Sequence, residues 1–567
     1  MIRRGSVLKA VLLVTLTLPL IQAESKTAFD LKPVAGLSVD VIVQFRHPVT
    51  NSDHNKVHSR GGALNRELPT INGASYRLPA EALTALAADA GVAYVSPDRG
   101  VHASLDYSKE TIQATLAWQA GIDSGDVGIA VLDSGISTVP DLNGAGRHTS
   151  SRIAYSESFV KGSANTNDQF GHGTHVAGIV AGDGYESTGA QYTYTFLGVA
   201  PHAQLINLRV LDENGMGTDS AVIQAIERAI SLKAKYNIRV INLSLGRRVF
   251  ESYTQDPLCQ AVEAAWRAGI VVVAAAGNDG RDNSLHTSGY GTINAPGNDP
   301  YVITVGAMKT MDTASRSDDQ IASYSSKGPT LIDHIVKPDL VAPGNRIVSL
   351  RSPDGALDVG YPQNLIPYSA YTRSANNRPS SFYFQLSGTS MSTAMVSGAA
   401  ALLIGKEPSL TPDQVKARLM KSASKTFPAV SLATDAITGA VYRSEYDIFT
   451  VGAGYLDVWA ALNGDDPPSG SAKSPTANYD ALTGSVTVVS DSSVVWGSSP
   501  SWSTSVVWGD NVFVNYSSVV WGDAVVWGDI TSQGFSVIWG TSVVWGDALI
   551  GVPASASPVD VLIQGEP

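Results

Sequence analysis

The chain has 567 residues, of which 44% are hydrophobic and only 16% charged, against a usual charged share of roughly 25%. That balance excludes a wholly disordered chain and a charge-laced coiled coil. A formal charge of −12 argues against a nucleic-acid binder. The single cysteine, Cys259, excludes an intrachain disulfide or a multi-cysteine metal site.

Residues 1–23 read as a secretory signal. Arg3, Arg4 and Lys9 supply a positive start, Val11 to Ile21 is apolar and uncharged, and Ala23 offers a small residue before Glu24. The run falls short of the roughly 20 residues that span a bilayer. The mature protein is therefore expected to be secreted, extracellular and without a transmembrane segment.

Residues 24–105 carry a small α+β pattern. Leu37 to Phe45 alternates like a strand, Pro79 to Ala90 reads as a helix with proline in its first turn, and Val92 to Val95 as another strand. Gly61-Gly62 suggests a mobile loop. Residues 106–463 alternate strands with helices: strands at 128–132, 203–211, 240–245 and 270–276, helices at 220–236 and 257–268, and a late helix opened by Thr411-Pro412. This is the rhythm of an α/β domain with a doubly wound, mostly parallel sheet.

Residues 464–476 have the composition of a linker. Residues 477–567 form a tail in which a Val-Val/Ile-Trp-Gly unit recurs at Trp496, Trp508, Trp521, Trp527, Trp539 and Trp545. From Ser471 onward there are eight acidic residues and one basic one, Lys473. Short units of this kind suggest stacked β-strands, because one unit cannot bury its own tryptophan. A partly disordered tail is the other reading.

Four segments of the middle zone carry chemistry. Asp133 closes a buried strand, where open α/β sheets place their sites. His172 stands at the head of a small-residue helix. Asn278 follows a buried strand, and Ser390 opens a helix in Ser387-Gly-Thr-Ser-Met391. A serine hydroxyl is a poor nucleophile without a base beside it. Histidine exchanges a proton near neutral pH, and an acid fixes its tautomer. An amide side chain and a helix N–H suit a developing oxyanion. The set therefore points to acyl transfer.

These segments, with Gly198-Val-Ala-Pro201, Val240 to Gly246, Ala322 to Pro329 and Lys337 to Gly344, resemble the subtilisin-like (subtilase, peptidase S8 type) serine proteases over most of 106–463. The resemblance implies a serine endopeptidase of broad specificity with Asp133 as orienting acid, His172 as base, Ser390 as nucleophile and Asn278 as oxyanion donor. It implies that Ser244, Leu245 and Gly246 pair with the substrate backbone, and that Ala276 and Gly277 form the opposite wall of the P1 pocket. The sequence departs from the family pattern at Ala394 and Met395, where proline and histidine are usual.

Residues 24–105 resemble the family's inhibitory propeptide, which implies a zymogen cut by its own Ser390 near 104–107 and inhibited by its own N-terminal domain. The expected partners are polypeptide substrates and this propeptide, with no nucleic acid, and the protein is expected to be a monomer. No cofactor is required and no metal-binding residue is assigned. The family's structural calcium is not carried over, because the loop 182–196 shows no convincing ligand pattern. The alternative function is a catalytically weak binding protein on the same scaffold, acting through its tryptophan repeats.

Overall fold

The computed structural model describes residues 26–28, 31, 36–97, 107–143, 151–284, 287–435, 439–464, 470–480, 485–489, 495, 513–514, 518–519 and 558–566. The expected signal segment, residues 104–106 of the expected maturation region and all six repeat tryptophans lie outside them. The chain forms two compact units, 1–103 and 104–567. Among the described residues no helix is long and apolar enough to cross a membrane.

In the first unit, β1 (Ser38–Phe45), β2 (Ala63–Leu68), β3 (Gly73–Pro79) and β4 (Val92–Pro97) form an antiparallel sheet in the order β2-β3-β1-β4. The alternation in β1 turns Val41, Val43 and Phe45 into a core with Val57, Tyr76, Leu78 and Leu86. Two sequence expectations are corrected here. The helix expected over 79–90 is confined to Leu83–Ala87, behind a 3-10 turn at Ala80–Ala82. Pro79 instead ends β3, paired with Ser38, because its ψ of 140° suits an extended chain. Gly61-Gly62 is a packed turn rather than a loose loop. Gly62 N–H bonds to the Val57 carbonyl at 3.0 Å, and a Cβ on Gly62 would meet Val57 at 2.5 Å. The helix Asn51–His58 gives no apolar periodicity to find. It is held by Asp53, whose carboxylate accepts from the Thr50 N–H and hydroxyl.

The second unit is built on an eight-stranded sheet. Its strands are β5 (Gly128–Asp133), β6 (Ile153–Ser158), β7 (Gln204–Arg209), β8 (Ile238–Leu243), β9 (Val271–Ala275), β10 (Ile303–Lys309), β11 (Gln320–Ile321) and β12 (Leu340–Pro343). The order is β11-β10-β9-β8-β5-β7-β6, with β12 also on β10. Every pairing is parallel except β10 with β11. Such strands are covered on both faces and so read as continuous apolar runs; all six residues of β5 are buried. The chain runs to one side of β5 through β6 and β7, then crosses to β8 on the other. This reversal opens a crevice at the carboxyl end of β5.

The strand expected over 240–245 starts earlier and stops earlier. Asn237, at φ 46°, caps the preceding helix Asp219–Tyr236 and lets β8 begin at Ile238. It ends at Leu243 because Ser244 turns its carbonyl to another element. The helix Thr389–Lys406 is buried on all sides from Thr389 to Ile404, as befits a helix without a polar face. It runs unbroken through Ala394 and Met395. A second, smaller sheet joins β13 (Ile347–Leu350), β14 (Leu365–Pro367) and β15 (Pro379–Leu386) in the order β13-β15-β14. The compositional linker is anchored over its second half: the Val336 N–H bonds to Pro475, and Thr476 bridges Ile335.

Candidate active site

Asp133 is the last residue of β5, and Ser244 and Asn278 follow the carboxyl ends of β8 and β9, the next two strands of the sheet. The sheet alone thus gathers three of the residues singled out in the sequence on one edge. His172 and Ser390 reach that edge from the heads of two helices, His172–Ala181 and Thr389–Lys406, that pack on each other.

Asp133 Oδ1 lies 2.7 Å from His172 Nδ1. A carboxylate oxygen offers only lone pairs, so Nδ1 carries the proton and Nε2 is left as the basic nitrogen. The same oxygen accepts from the Ser134 N–H at 2.8 Å. Both partners are buried. Burial disfavours the charged imidazole, but the Asp133 charge and hydrogen bond, with Asp168 behind them, hold its pKa above the ordinary 6.5.

Asp168 is a residue that the sequence reading missed. Its carboxylate accepts from the N–H of Gly171 at 2.7 Å and of Thr174 at 2.8 Å, and from the Ser134 hydroxyl at 2.8 Å. It caps the first turn of the His172 helix and ties that turn to the residue after Asp133. The signal was present as an aspartate one turn ahead of a helix start, hidden in the polar run Asn165 to Gln169. Close approach completes the fit: a Cβ on Gly173 would stand 2.2 Å from the Gly135 carbonyl.

His175, on the same helix, faces away from this pair. Its Nε2 lies 3.1 Å from the carbonyls of both Ile347 and Phe384, so it donates there. Burial, with His172 nearby, pushes its pKa down to about 3, and it stays neutral.

Ser390 sits in the first turn of its helix, after Gly388 at φ 144°. Glycine fits there for two reasons: the backbone is left-handed in φ, and a Cβ would approach Asn278 Nδ2 to 3.2 Å. The Ser390 hydroxyl donates to the Ser244 carbonyl at 3.0 Å, and the Ser244 hydroxyl donates back to the Ser390 carbonyl at 2.8 Å. In this resting arrangement the Ser390 hydroxyl proton points to the Ser244 carbonyl. Catalytic hydrogen bonds are often formed only when substrate binds.

Asn278 Oδ1 accepts from the Thr389 N–H at 3.0 Å and the Thr389 hydroxyl at 3.1 Å. An N–H can donate only to oxygen here, so the amide's orientation is fixed and its NH₂ is the end left for a ligand. The Thr389 hydroxyl in turn accepts from the Gly277 N–H at 3.2 Å. Ala276 bonds to Val305 and Asn294 through its backbone, and Gly277, at φ 111°, accepts from the Ser326 N–H. Backbone hydrogen bonds thus hold both residues in place. Leu245 and Gly246 continue the edge beyond β8, and Arg247 pairs with Ala295 across a two-way bridge.

A histidine bonded to an acid, a serine at a helix N-terminus and an oriented amide on one edge of a doubly wound sheet are the kind of set a serine hydrolase uses. Residues 124–441 match the model of the subtilase family, and the chain belongs to that family of serine-type endopeptidases. It is 38% identical over 374 residues to "Serine protease AprX" of Bacillus subtilis (strain 168), covering 64% of this chain and 76% of that protein. It is 34% identical over 424 residues to Subtilisin E of the same organism, covering 73% and 92%. An alkaline protease of Shouchella clausii matches at 34% over 364 residues, covering 64% and 76%.

Proposed function

We propose that this endopeptidase cleaves peptide bonds through Asp133, His172 and Ser390, with Asn278 stabilising the oxyanion. The observation that carries the reading is the 2.7 Å bond from His172 Nδ1 to Asp133, which leaves Nε2 as the base. Rotation of the Ser390 side chain moves its proton from the Ser244 carbonyl to Nε2. The oxygen then attacks the substrate carbonyl, and the imidazolium is stabilised by Asp133. The oxyanion is met by Asn278 Nδ2. Of the first-turn N–H groups, that of Thr389 goes to Asn278 and that of Met391 to Gly388. The Ser390 N–H therefore serves as second donor. Nε2 returns the proton to the leaving amine, and water repeats the cycle on the acyl-enzyme.

Ser244, Leu245 and Gly246 on one side, and the wall of Ala276 and Gly277 on the other, hold an extended polypeptide. Main-chain pairing of this kind tolerates many sequences, so specificity is broad. The protein is made as a secreted zymogen: residues 1–23 direct export, residues 24–105 inhibit, and the enzyme cuts itself near 104–107. No cofactor takes part in the reaction.

Expression of the wild type beside Ser390→Ala tests these assignments. The wild type should lose its N-terminal unit and digest casein. Ser390→Ala should stay uncut, with kcat lower by on the order of 10⁶-fold, the loss found in the related subtilisin. An uncut wild type with casein activity removes the zymogen, and an active Ser390→Ala removes the nucleophile.

A further inference from the structure

The segment after the tryptophan repeats returns to the second unit and is held there as a ligand is held. It consists of the helix Pro558–Gln564, then Gly565 and Glu566. A helix this short has no stability of its own in water, so its order comes from what it touches. Val561 packs with Ala307, Ala322 and Tyr324, while Leu562 and Ile563 join the main core.

The backbone of the segment is read by side chains and by the end of β15. The Ser387 N–H donates to the Leu562 carbonyl at 2.8 Å, and Asn364 Nδ2 to the Ile563 carbonyl at 2.7 Å. Asn345 makes a two-way contact with one residue: Nδ2 donates to the Glu566 carbonyl at 2.8 Å, and Oδ1 accepts its N–H at 2.7 Å. Gly565 fits where a Cβ would stand 2.3 Å from Ser387 Oγ.

The Glu566 carboxylate is the anchor. It is 2% exposed and takes Arg281 Nη2 at 2.7 Å, Lys309 Nζ at 3.1 Å, the Ser323 N–H at 2.8 Å and the Ser323 hydroxyl. The pocket lining also makes bonds that do not involve the carboxylate. Arg281 Nε also donates to Ser323 Oγ at 2.8 Å, and its guanidinium pairs with Asp435 at 3.1 Å and lies over the Tyr442 ring. Burial alone would raise the pKa of Glu566. Lys309, the Ser323 hydrogen bond and Arg281 outweigh it and hold the group ionised. Without Glu566, Lys309 at the end of β10 loses its ion-pair partner in a site that excludes water.

We propose that the second unit carries a dedicated peptide-binding site that takes segment 558–566 in cis: an apolar patch for Val561, Leu562 and Ile563, a two-way amide clamp at Asn345, and a cationic pocket for the glutamate. Ala472 is held by Asp413, and Ser474 by Asp339 and Lys416, so the chain before the repeats and the chain after them are both fastened to the second unit. A cut within the tail then leaves the segment bound to the enzyme. The proposal is independent of the roles given to Asp133, His172 and Ser390.

Two variants test it, both handled with a general serine-protease inhibitor present. The first is Glu566→Gln in the full chain. Its thermal midpoint should fall by about 3–8 °C, since a buried cation has lost its partner. The second is a chain stopped after Ser557, to which a synthetic peptide of residues 558–567 is added. The peptide should bind saturably and raise the midpoint of the stopped chain, and its glutamine counterpart should bind at least about tenfold more weakly, the loss expected for a charge-assisted bond. A folded stopped chain that ignores the peptide overturns the proposal, and so does an unchanged midpoint for Glu566→Gln. If the stopped chain does not fold, Glu566→Gln alone decides: a lowered midpoint supports the site and an unchanged one overturns it.

Discussion

The imidazole of His172 is pulled in opposite directions. Burial disfavours its positive charge, while the charge and hydrogen bond of Asp133 favour it, with Asp168 adding to them, and the balance lies above the ordinary 6.5. A raised value means that the basic form is reached only at higher pH. The expected outcome is an acidic limb of kcat/KM centred above 6.5. Asp133→Asn removes both favourable contributions, so the limb should move to lower pH while kcat falls by about 10⁴-fold. A limb centred at or below 6.5, or one that stays in place in Asp133→Asn, would contradict the pairing seen here. At this scale the sequence was legible where a residue type is chemically unusual in its setting. Asp133 at the end of an apolar run and His172 between glycines are of that kind. Asp168 was not legible, because an aspartate among Asn165, Asn167 and Gln169 looks like any polar loop residue. Its role comes from three donors that only the fold brings to it.

At the scale of elements, the parallel strands announced themselves as apolar runs, and their ends were less certain. Leu245 reads as the last residue of a strand by its side chain alone. The strand stops at Leu243 because the Ser244 carbonyl is taken by Ser390, a contact across 146 positions of sequence. The same limit hid the anchor of the linker. Lys337, Asp339 and Lys416 are fully buried. Asp339 accepts from Lys337 at 2.7 Å, from the Thr304 N–H at 2.8 Å and from the Ser474 hydroxyl, and pairs with Lys416 at 3.1 Å. Lys416 also donates to the carbonyls of Pro300 and Val302. β12, the helix Pro412–Ser422 and the linker are thereby joined at one carboxylate.

Burial would raise the pKa of Asp339, but the two lysines outweigh it and the value is lowered. A depressed folded value adds stability that is complete above the unfolded carboxylate range near 3.8 and is lost as pH falls through the folded value. Asp339→Ala leaves Lys337 and Lys416 in the interior without their shared partner. It should cost about 3–5 kcal/mol at neutral pH, measured by denaturant unfolding of the inhibited enzyme. A loss below about 1 kcal/mol, the size of a surface pair, would mean that the carbonyls alone hold the lysines.

At the scale of the whole molecule, the two units differ in what they can bury. The first has eleven buried apolar side chains in its core among the described residues. The second has a core running through its sheet, the Ser390 helix and the second sheet. A domain near 60 residues buries only about 60% of its surface, and a single core of that size supplies about 3–5 kcal/mol at most. The first unit also leaves β2 and β4 at its sheet edges, and an unpaired edge is a template for another chain. Among the described residues, Thr27 bridges β4 at Val95. On the proposed zymogen reading, a domain with so small a core gains stability from its partner. Residues 24–103 made separately should therefore unfold in one transition with no more than about 3–5 kcal/mol. Added to enzyme that has lost them, they should inhibit casein hydrolysis. With Ser390→Ala enzyme in excess, their own unfolding midpoint should rise with enzyme concentration, as binding to the folded form alone demands. A fragment whose midpoint ignores the enzyme, and which leaves hydrolysis untouched, would be an independent domain rather than an inhibitor. The zymogen assignment would then fall while the catalytic one stood.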